Sequence, residues 1–345
     1  MYKVGIIGAS GYVGSELISL LIRHKLVELT SISSRSFEGK IISEIYENFF
    51  GVIDLVFESE EKVINKSEII FLALPHGLSE DIALKVRNKN KILIDLGADF
   101  RLANELDYKQ FYGKYFKDKQ IHKESVYCIP ELSRFKLEYS NIIANPGCYP
   151  TSIALGLAPA LKNNLVKKNS IIIDSKSGVT GSGKNCNEVT HFIERNENFN
   201  AYSIGGVHRH IPEIEQVLSE LAGDNIKVSF TPHLLPINRG ILSTIYFDLS
   251  KDISIEELFN IYSNFYSNKK FVKILNIGNV AKIKSVTHTN YCHISLHKDD
   301  RCNRIIICSV IDNMIKGAAG QAIQNMNIRL GIDESEGLDF ISSNF

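Results

Sequence analysis

The sequence predicts an α/β protein in two parts: a doubly wound domain on a parallel sheet, then an α+β domain on a mixed sheet. Three observations predict it. Through the first 147 residues, short apolar runs alternate with amphipathic stretches at helical spacing, the pattern of repeated βαβ units. The first of these runs ends in a glycine-rich turn, Gly8-Ala-Ser10-Gly11-Tyr12-Val13-Gly14. Beyond about Leu165 the texture becomes β-rich with long connections, which suits a mixed or antiparallel sheet better than further βαβ units.

At 345 residues, 44% hydrophobic and 23% charged, the chain can build two cores of ordinary globular character. Lys plus Arg equals Asp plus Glu at 39 each, so nothing points to a nucleic-acid or acidic-membrane partner. The opening MYKVGIIGASGYVG enters the glycine pattern without the regions of a signal peptide, and no apolar run reaches membrane-spanning length, so a cytoplasmic protein is expected. Six cysteines, at 128, 148, 186, 292, 302 and 308, form no Cys-x-x-Cys pair, which argues against a disulfide framework and a thiolate zinc site.

Taken in order, Lys3 to Ile7 reads as a buried strand and Tyr12 to His24 as an amphipathic helix. The glycine turn between them brings backbone N–H groups to a helix N-terminus, where a pyrophosphate is bound in dinucleotide-binding domains of the Rossmann type. Its candidate contacts are Gly8, Ser10, Gly11, Tyr12, Val13 and Gly14. The second strand, Val27 to Ile32, ends in Ser33-Ser34-Arg35 instead of an acidic residue. Hydroxyls and a cation suit a 2′-phosphate, which favours NADP (NADPH) over NAD. Glu68 to Leu74 is a further strand followed by Pro75-His76-Gly77, which places Pro75 and His76 near a nicotinamide; a helix starts near Ser79. Ile92 to Asp95 leads into Leu96-Gly-Ala-Asp99-Phe-Arg101, and Asn104 to Glu124 reads as an aperiodic surface connection.

The stretch Asn141 to Ala160 joins a short strand to a helix through Asn145-Pro146-Gly147-Cys148. Pro150 suits the first turn of a helix, so Cys148 should sit at the helix N-terminus, where unpaired N–H groups and the helix dipole favour a thiolate. Gly147 is expected to give a sharp turn there. The second domain carries two glycine loops, Ser175 to Gly183 and Gly205 to Glu213. Lys176, Ser177 and Gly178 are expected to offer backbone N–H groups to a phosphate. Residues two apart in an extended segment point the same way, so His208 and His210 would face one site and Arg209 another. The His-x-His spacing also fits zinc, but no third ligand is near and metal is set aside. Arg239 is a candidate for a substrate carboxylate. Ile255 to Tyr266 reads as a surface helix burying Leu258, Phe259 and Tyr262. From Asp312 a small-residue helix closes the chain and is placed back in the nucleotide domain. The expected division is 1–147 completed by 317–345 for the cofactor, and 148–316 for catalysis, substrate and oligomer contacts.

A nicotinamide site and a helix-terminal cysteine point to one chemistry. A thiolate can displace phosphate from an acyl phosphate, and the resulting thioester accepts hydride where a carboxylate does not. The scheme needs an acid/base group, and His208 or His210 can supply it.

The motifs GASGYVGSEL, ALPHG, LGADFR, NPGCYPT, VHRHIPEI, PINRGI and Asp312-Asn313 to Gln321 resemble the N-acetyl-γ-glutamyl-phosphate reductase family of arginine biosynthesis, nearly end to end. The resemblance implies NADPH-dependent reduction of N-acetyl-L-glutamyl 5-phosphate to the 5-semialdehyde. It implies Cys148 as nucleophile, His208 as acid/base and His210 as its neighbour in substrate binding. With it go Ser177, Gly178, Arg101 and Arg239 at the substrate, Asn313 and Lys316 at the cofactor, and a homodimer or homotetramer. Aspartate-semialdehyde dehydrogenase and a reductase of carrier-bound aminoadipyl or glutamyl phosphate share the architecture and stay open as alternatives.

Overall fold

A computed structural model describes residues 1–185 and 188–343; Cys186 lies outside the described residues. The chain divides into two compact units, Met1–Pro146 with Ala318–Asp339, and Gly147–Gly317 with the segment from Phe340.

The first unit runs β1 (Tyr2–Ile7), α1 (Tyr12–Leu21), β2 (Val27–Ser33), β3 (Phe57–Glu58), α2 (Glu60–Lys66), β4 (Ile69–Leu72), α3 (Ser79–Arg87) and β5 (Ile92–Asp95). It continues through α4 (Glu105–Tyr112), α5 (Lys119–Glu124), β6 (Ser125–Tyr127), α6 (Pro130–Ser133) and β7 (Ile142–Ala144). All seven strands are parallel, in the order β3-β2-β1-β4-β5-β7-β6. β4 is buried along its whole length, as a strand covered on both faces must be, which is why it reads as an unbroken apolar run. The strand order reverses between β1 and β4, so the crevice beyond their carboxyl ends is the ligand-binding position of such a sheet.

Residues 104 to 124 correct the expected surface connection. Asn104 and Asp118 cap α4 and α5, accepting from Leu106 N at 2.8 Å and Gln120 N at 2.8 Å. Tyr108 and Ile121 are fully buried, and Tyr108 stacks on Tyr112 at 5.1 Å between ring centroids. The helical period was carried by tyrosines, whose polar tips disguise it.

The second unit begins with α7 (Cys148–Lys162), then β8 (Ile172–Ser177), α8 (Phe192–Arg195), β9 (Asn200–Ala201), α9 (Ile211–Ala222), β10 (Ser229–Leu234) and β11 (Ile241–Asp248). α10 (Ile255–Phe265), β12 (Val272–Ile274), β13 (Cys292–Asp299) and β14 (Arg304–Ile311) follow. The sheet order is β12-β13-β14-β11-β8-β10-β9, with β12 parallel to β13, β8 parallel to β10 and the other pairs antiparallel. A π-helical turn, Ile315–Ala319, leads into α11 (Gly320–Arg329). In α10 Leu258 and Tyr262 are buried, whereas Phe259 is only half-buried at the edge of the apolar stripe. No helix among the described residues is long and apolar enough to cross a membrane.

α7 is buried from Tyr149 to Leu161 and carries Pro159 in its interior. A proline there removes the N–H that the Leu155 carbonyl would accept from. Tyr266, just beyond α10, replaces what is lost, and Tyr262 from the last turn of α10 adds a donor at the next carbonyl. Tyr266 Oη donates to Leu155 O at 2.5 Å and Tyr262 Oη to Gly156 O at 2.8 Å. Tyr266→Phe is therefore expected to destabilise this unit by about 1–3 kcal/mol, the cost of a buried carbonyl left without a donor. Denaturant unfolding of the variant measures it, and an unchanged midpoint would contradict this account of α7.

Candidate functional site

Cys148 is the first residue of α7, with Gly147 as its N-cap. Gly147 has φ −70° and ψ 160°, values open to any residue, so the sharp glycine turn expected there is not used. What fixes this end is a side chain from a later helix, α9. Glu213, fully buried in the first turn of α9, accepts the Gly147 N–H at 2.7 Å. Thr151 closes the turn, its N–H and hydroxyl both donating to Gly147 O at 3.0 and 2.8 Å. Gly317, in the π-turn, leaves the room that Cys148 occupies: a Cβ there would lie 2.6 Å from the cysteine Cβ.

A cavity of about 800 Å³ opens beside Cys148, with Tyr149, Ser177, Tyr202, His208 and His210 in its wall. The rings form an apolar box: Tyr149 stands edge-on to His208 at 5.7 Å and to His210 at 5.9 Å, and Phe230 closes on His208 at 5.3 Å. Tyr149 and Tyr202 join through their hydroxyls at 3.2 Å. Burial pushes Tyr202 up to about 12 and holds Tyr149 above the usual phenol range, so both are hydrogen-bonding groups and not acids at neutral pH. His208 is buried, and burial together with the Arg209 cation lowers it to about 4. Its Nδ1 accepts the His210 backbone N–H at 3.1 Å, which puts the proton of the neutral ring on Nε2.

Several expected placements change. Arg209 lines the same cavity as both histidines, because the segment before α9 is a chain of turns and not an extended strand. Ser177 and Gly178 do line the cavity, but the Gly178 N–H is given to Gly240 O at 2.9 Å and the Val179 N–H to Ile237 O at 2.9 Å. These amides therefore close the loop instead of facing a phosphate. Lys176, on the opposite side of β8, pairs with Asp174 at 2.8 Å. Arg239 lies 3.6 Å from the fully buried Asp312 and is absent from the cavity wall. Asn313 joins two loops, its Oδ1 accepting from Gly240 N at 2.7 Å and its Nδ2 donating to Thr180 Oγ1 at 3.0 Å. Lys316 is fully buried, its Nζ 5.8 Å from the Phe271 ring centre, because the π-turn carries the side chain inward.

In the first unit, the glycine turn is built for close approach. Gly8 has φ +88°, and a Cβ on it would fall 2.4 Å from Ala73 O, beyond the end of β4. A Cβ on Gly14 would fall 2.5 Å from Gly8 O. Gly11 caps α1 without a side-chain hydrogen bond and the first turn holds no acidic residue, so the N-terminus suits a pyrophosphate. Tyr12 is exposed and Val13 half-buried at this helix start. Ser10 and Ser34 share a hydrogen bond at 2.7 Å. Arg35, largely exposed, pairs with Glu60 at 2.9 Å beside a second cavity that Ser33 and Ser34 also line. Pro75 and His76 are exposed, and their loop is tied down by Asp99, which accepts from Gly77 N at 2.5 Å, Ser79 N at 2.9 Å and Tyr108 Oη at 2.8 Å. Burial and the neighbouring Asp99 push Asp95 up to about 7. Arg101 is buried and donates to Asn145 O at 2.9 Å and Leu96 O at 2.8 Å, holding two strand ends together.

Sequence reasoning missed Glu213, Gly317 and the aromatic box. Only Glu213 had a local signal, since Pro212 followed by an acid marks the first turn of a helix.

Residues 3–140 match the semialdehyde dehydrogenase NAD-binding-domain family, and residues 148–313 match the semialdehyde dehydrogenase dimerisation-domain family. The chain is 57% identical over 345 residues to an N-acetyl-gamma-glutamyl-phosphate reductase of Clostridium botulinum (strain Eklund 17B / Type B), with 100% of each chain covered. It is 54% identical over 353 residues to one from Brachyspira hyodysenteriae, again with 100% of each covered. In fold it is similar to aspartate semialdehyde dehydrogenase II of Vibrio cholerae, with TM-score 0.75 at 17% identity over 96% of this chain and 98% of that one. An aspartate semialdehyde dehydrogenase from Candida albicans, solved with NADP, gives TM-score 0.71 at 15% identity over 96% of this chain and 100% of that one.

The His208 environment sets a pH dependence. Unfolded, the ring takes a proton near 6.5; folded, only near 4, so between these values the unfolded chain binds more protons. The stability tied to neutral His208 is complete above 6.5 and is lost as pH falls towards 4, by up to about 3 kcal/mol. Unfolding measured at pH 7 and pH 4.5 should show a smaller acid loss for His208→Asn than for the wild type; equal losses would contradict the buried neutral ring.

Proposed function

This chain belongs to the N-acetyl-gamma-glutamyl-phosphate reductase family, and from that premise we propose that it reduces N-acetyl-L-glutamyl 5-phosphate to N-acetyl-L-glutamate 5-semialdehyde, releasing phosphate, in L-arginine biosynthesis. The observation that carries this reading is a helix-terminal cysteine opening on one cavity with two histidines. When bound, NADPH supplies the hydride. The unit of residues 1–146 with 318–339 holds the cofactor, and the unit built on residues 147–317 binds substrate and carries the chemistry. Gly8, Gly11 and Gly14 admit the pyrophosphate, and Ser33, Ser34 and Arg35 suit a 2′-phosphate. The match to a dimerisation-domain family and the exposed Phe192, Ile193 and Val207 support a homodimer or homotetramer. A thiol kept reduced for catalysis suits the cytoplasm.

Cys148 attacks the acyl carbon as a thiolate, and the acyl–oxygen bond to phosphate breaks as the thioester forms. The two histidines divide the remaining work. With Nδ1 occupied and a pKa near 4, His208 is a neutral ring with its proton on Nε2; it can donate a hydrogen bond to the carbonyl oxygen but has no lone pair for the thiol proton. The proton transfer expected of His208 therefore moves to His210. It takes the thiol proton, passes it to the departing phosphate, and relays one from solvent to the sulfur when the hemithioacetal collapses to the aldehyde.

With N-acetylglutamate semialdehyde, phosphate and NADP⁺ at alkaline pH, NADPH should form, and Cys148→Ser should abolish it while NADP⁺ binding persists. A strong signal only with aspartate semialdehyde would overturn the substrate. His210→Asn should remove a limb of the pH–rate profile, whereas His208→Asn should lower kcat about 10²-fold at every pH; the converse pattern exchanges the roles. Gly317→Ala should lower kcat about 10²-fold by displacing the sulfur, with little change in KM. A wild-type kcat would show that the close approach of Gly317 to Cys148 has no catalytic consequence.

A further inference from the structure

Arg195 ends α8 and is 5% exposed, yet it stands in the wall of the Cys148 cavity. Its Nη2 donates to Glu194 O at 3.3 Å, while Nε and Nη1 have no partner among the described residues. A guanidinium stays charged in any protein setting, and one buried without a carboxylate is costly unless an anion completes it. Two of its three nitrogens thus carry donors that no acceptor among the described residues takes up, on a side chain that lines the cavity. No sequence motif marked this position.

We propose that Arg195 binds the α-carboxylate of the substrate, an inference that rests on the function assigned above. The substrate carries two anionic groups at opposite ends, and the cavity wall carries two arginines that differ in setting. Arg209 is exposed, and its charge is felt at the His208 ring, which places it at the reacting end. Phosphate must arrive and leave there through water, and an exposed cation suits that traffic. The carboxylate keeps its charge unchanged from acyl phosphate to aldehyde, so a buried fixed cation suits it through both chemical steps. Arg195 is then a specificity residue: a substrate without the carboxylate would leave a buried charge unpaired.

The test uses the full-length enzyme in the oxidative direction, with N-acetylglutamate semialdehyde and its α-carboxamide analogue. Arg195→Met should raise the KM for the aldehyde by about 30-fold or more, as expected for a lost charge-assisted hydrogen-bonding partner, and leave the KM for phosphate within about twofold. Wild type should discriminate strongly against the carboxamide, and Arg195→Met should treat acid and amide nearly alike. Arg195→Lys, which keeps the charge without the planar fork, should lie between and serves if the methionine variant does not fold. A rise in the KM for phosphate instead, or undiminished discrimination in both variants, overturns the assignment alone. A wild-type enzyme inert towards the aldehyde but active with another overturns the functional reading, and this assignment with it.

Discussion

One hydrogen bond, from the Gly147 amide to the buried Glu213 carboxylate, sets where the amino end of α7 lies. A helix N-terminus has four N–H groups without intrahelical acceptors, and Pro150 removes one of them outright. Glu213 takes the amide just ahead of the helix, and the positive end of the helix dipole falls at Cys148. The sulfur is therefore placed by a residue on another helix, and Gly317 keeps open the volume it needs.

A residue at a helix end is only as well placed as the helix. Beneath α7, Ser152 Oγ donates to Ser243 Oγ at 3.1 Å and to Ser309 O at 3.2 Å, and Ser175 joins Ser243 at 2.8 Å. These hydroxyls tie one turn of α7 to three strands of the mixed sheet, β8, β11 and β14. Tyr262 and Tyr266 secure the middle of α7, where Pro159 would otherwise leave the buried Leu155 carbonyl unmet. Fully paired buried polar groups of this kind fix one arrangement where an apolar contact would allow sliding.

The cavity is electrostatically uneven. Aromatic rings crowd the two histidines and exclude water, which keeps His208 neutral. Such a ring resembles a fixed dipole more than a titrating base, and the same dry surroundings strengthen every hydrogen bond it donates. The cations of the wall are graded from exposed Arg209 to buried Arg195, a grading that matches a ligand with one departing and one permanent anionic group.

Much of this was legible in the sequence because it is local. The parallel strands announce themselves as apolar runs, the Gly8 turn by its spacing, and Cys148 by the Pro-Gly before it and the Pro150 after it. Tyrosine-borne helices between 104 and 124 were not legible, since a part-polar side chain hides the period. Nor were the fates of Arg239, Asn313 and Lys316, each of which has an ordinary motif position but a partner distant in the chain. The sequence by itself determined the order of elements and the residue types available for chemistry, because backbone geometry and periodicity act over a few residues. Only the tertiary structure decided which charges are spoken for. A carboxylate such as Asp312 or Glu213 finds its partner through burial and packing across 66 or more residues, and pairing of that reach leaves no local trace.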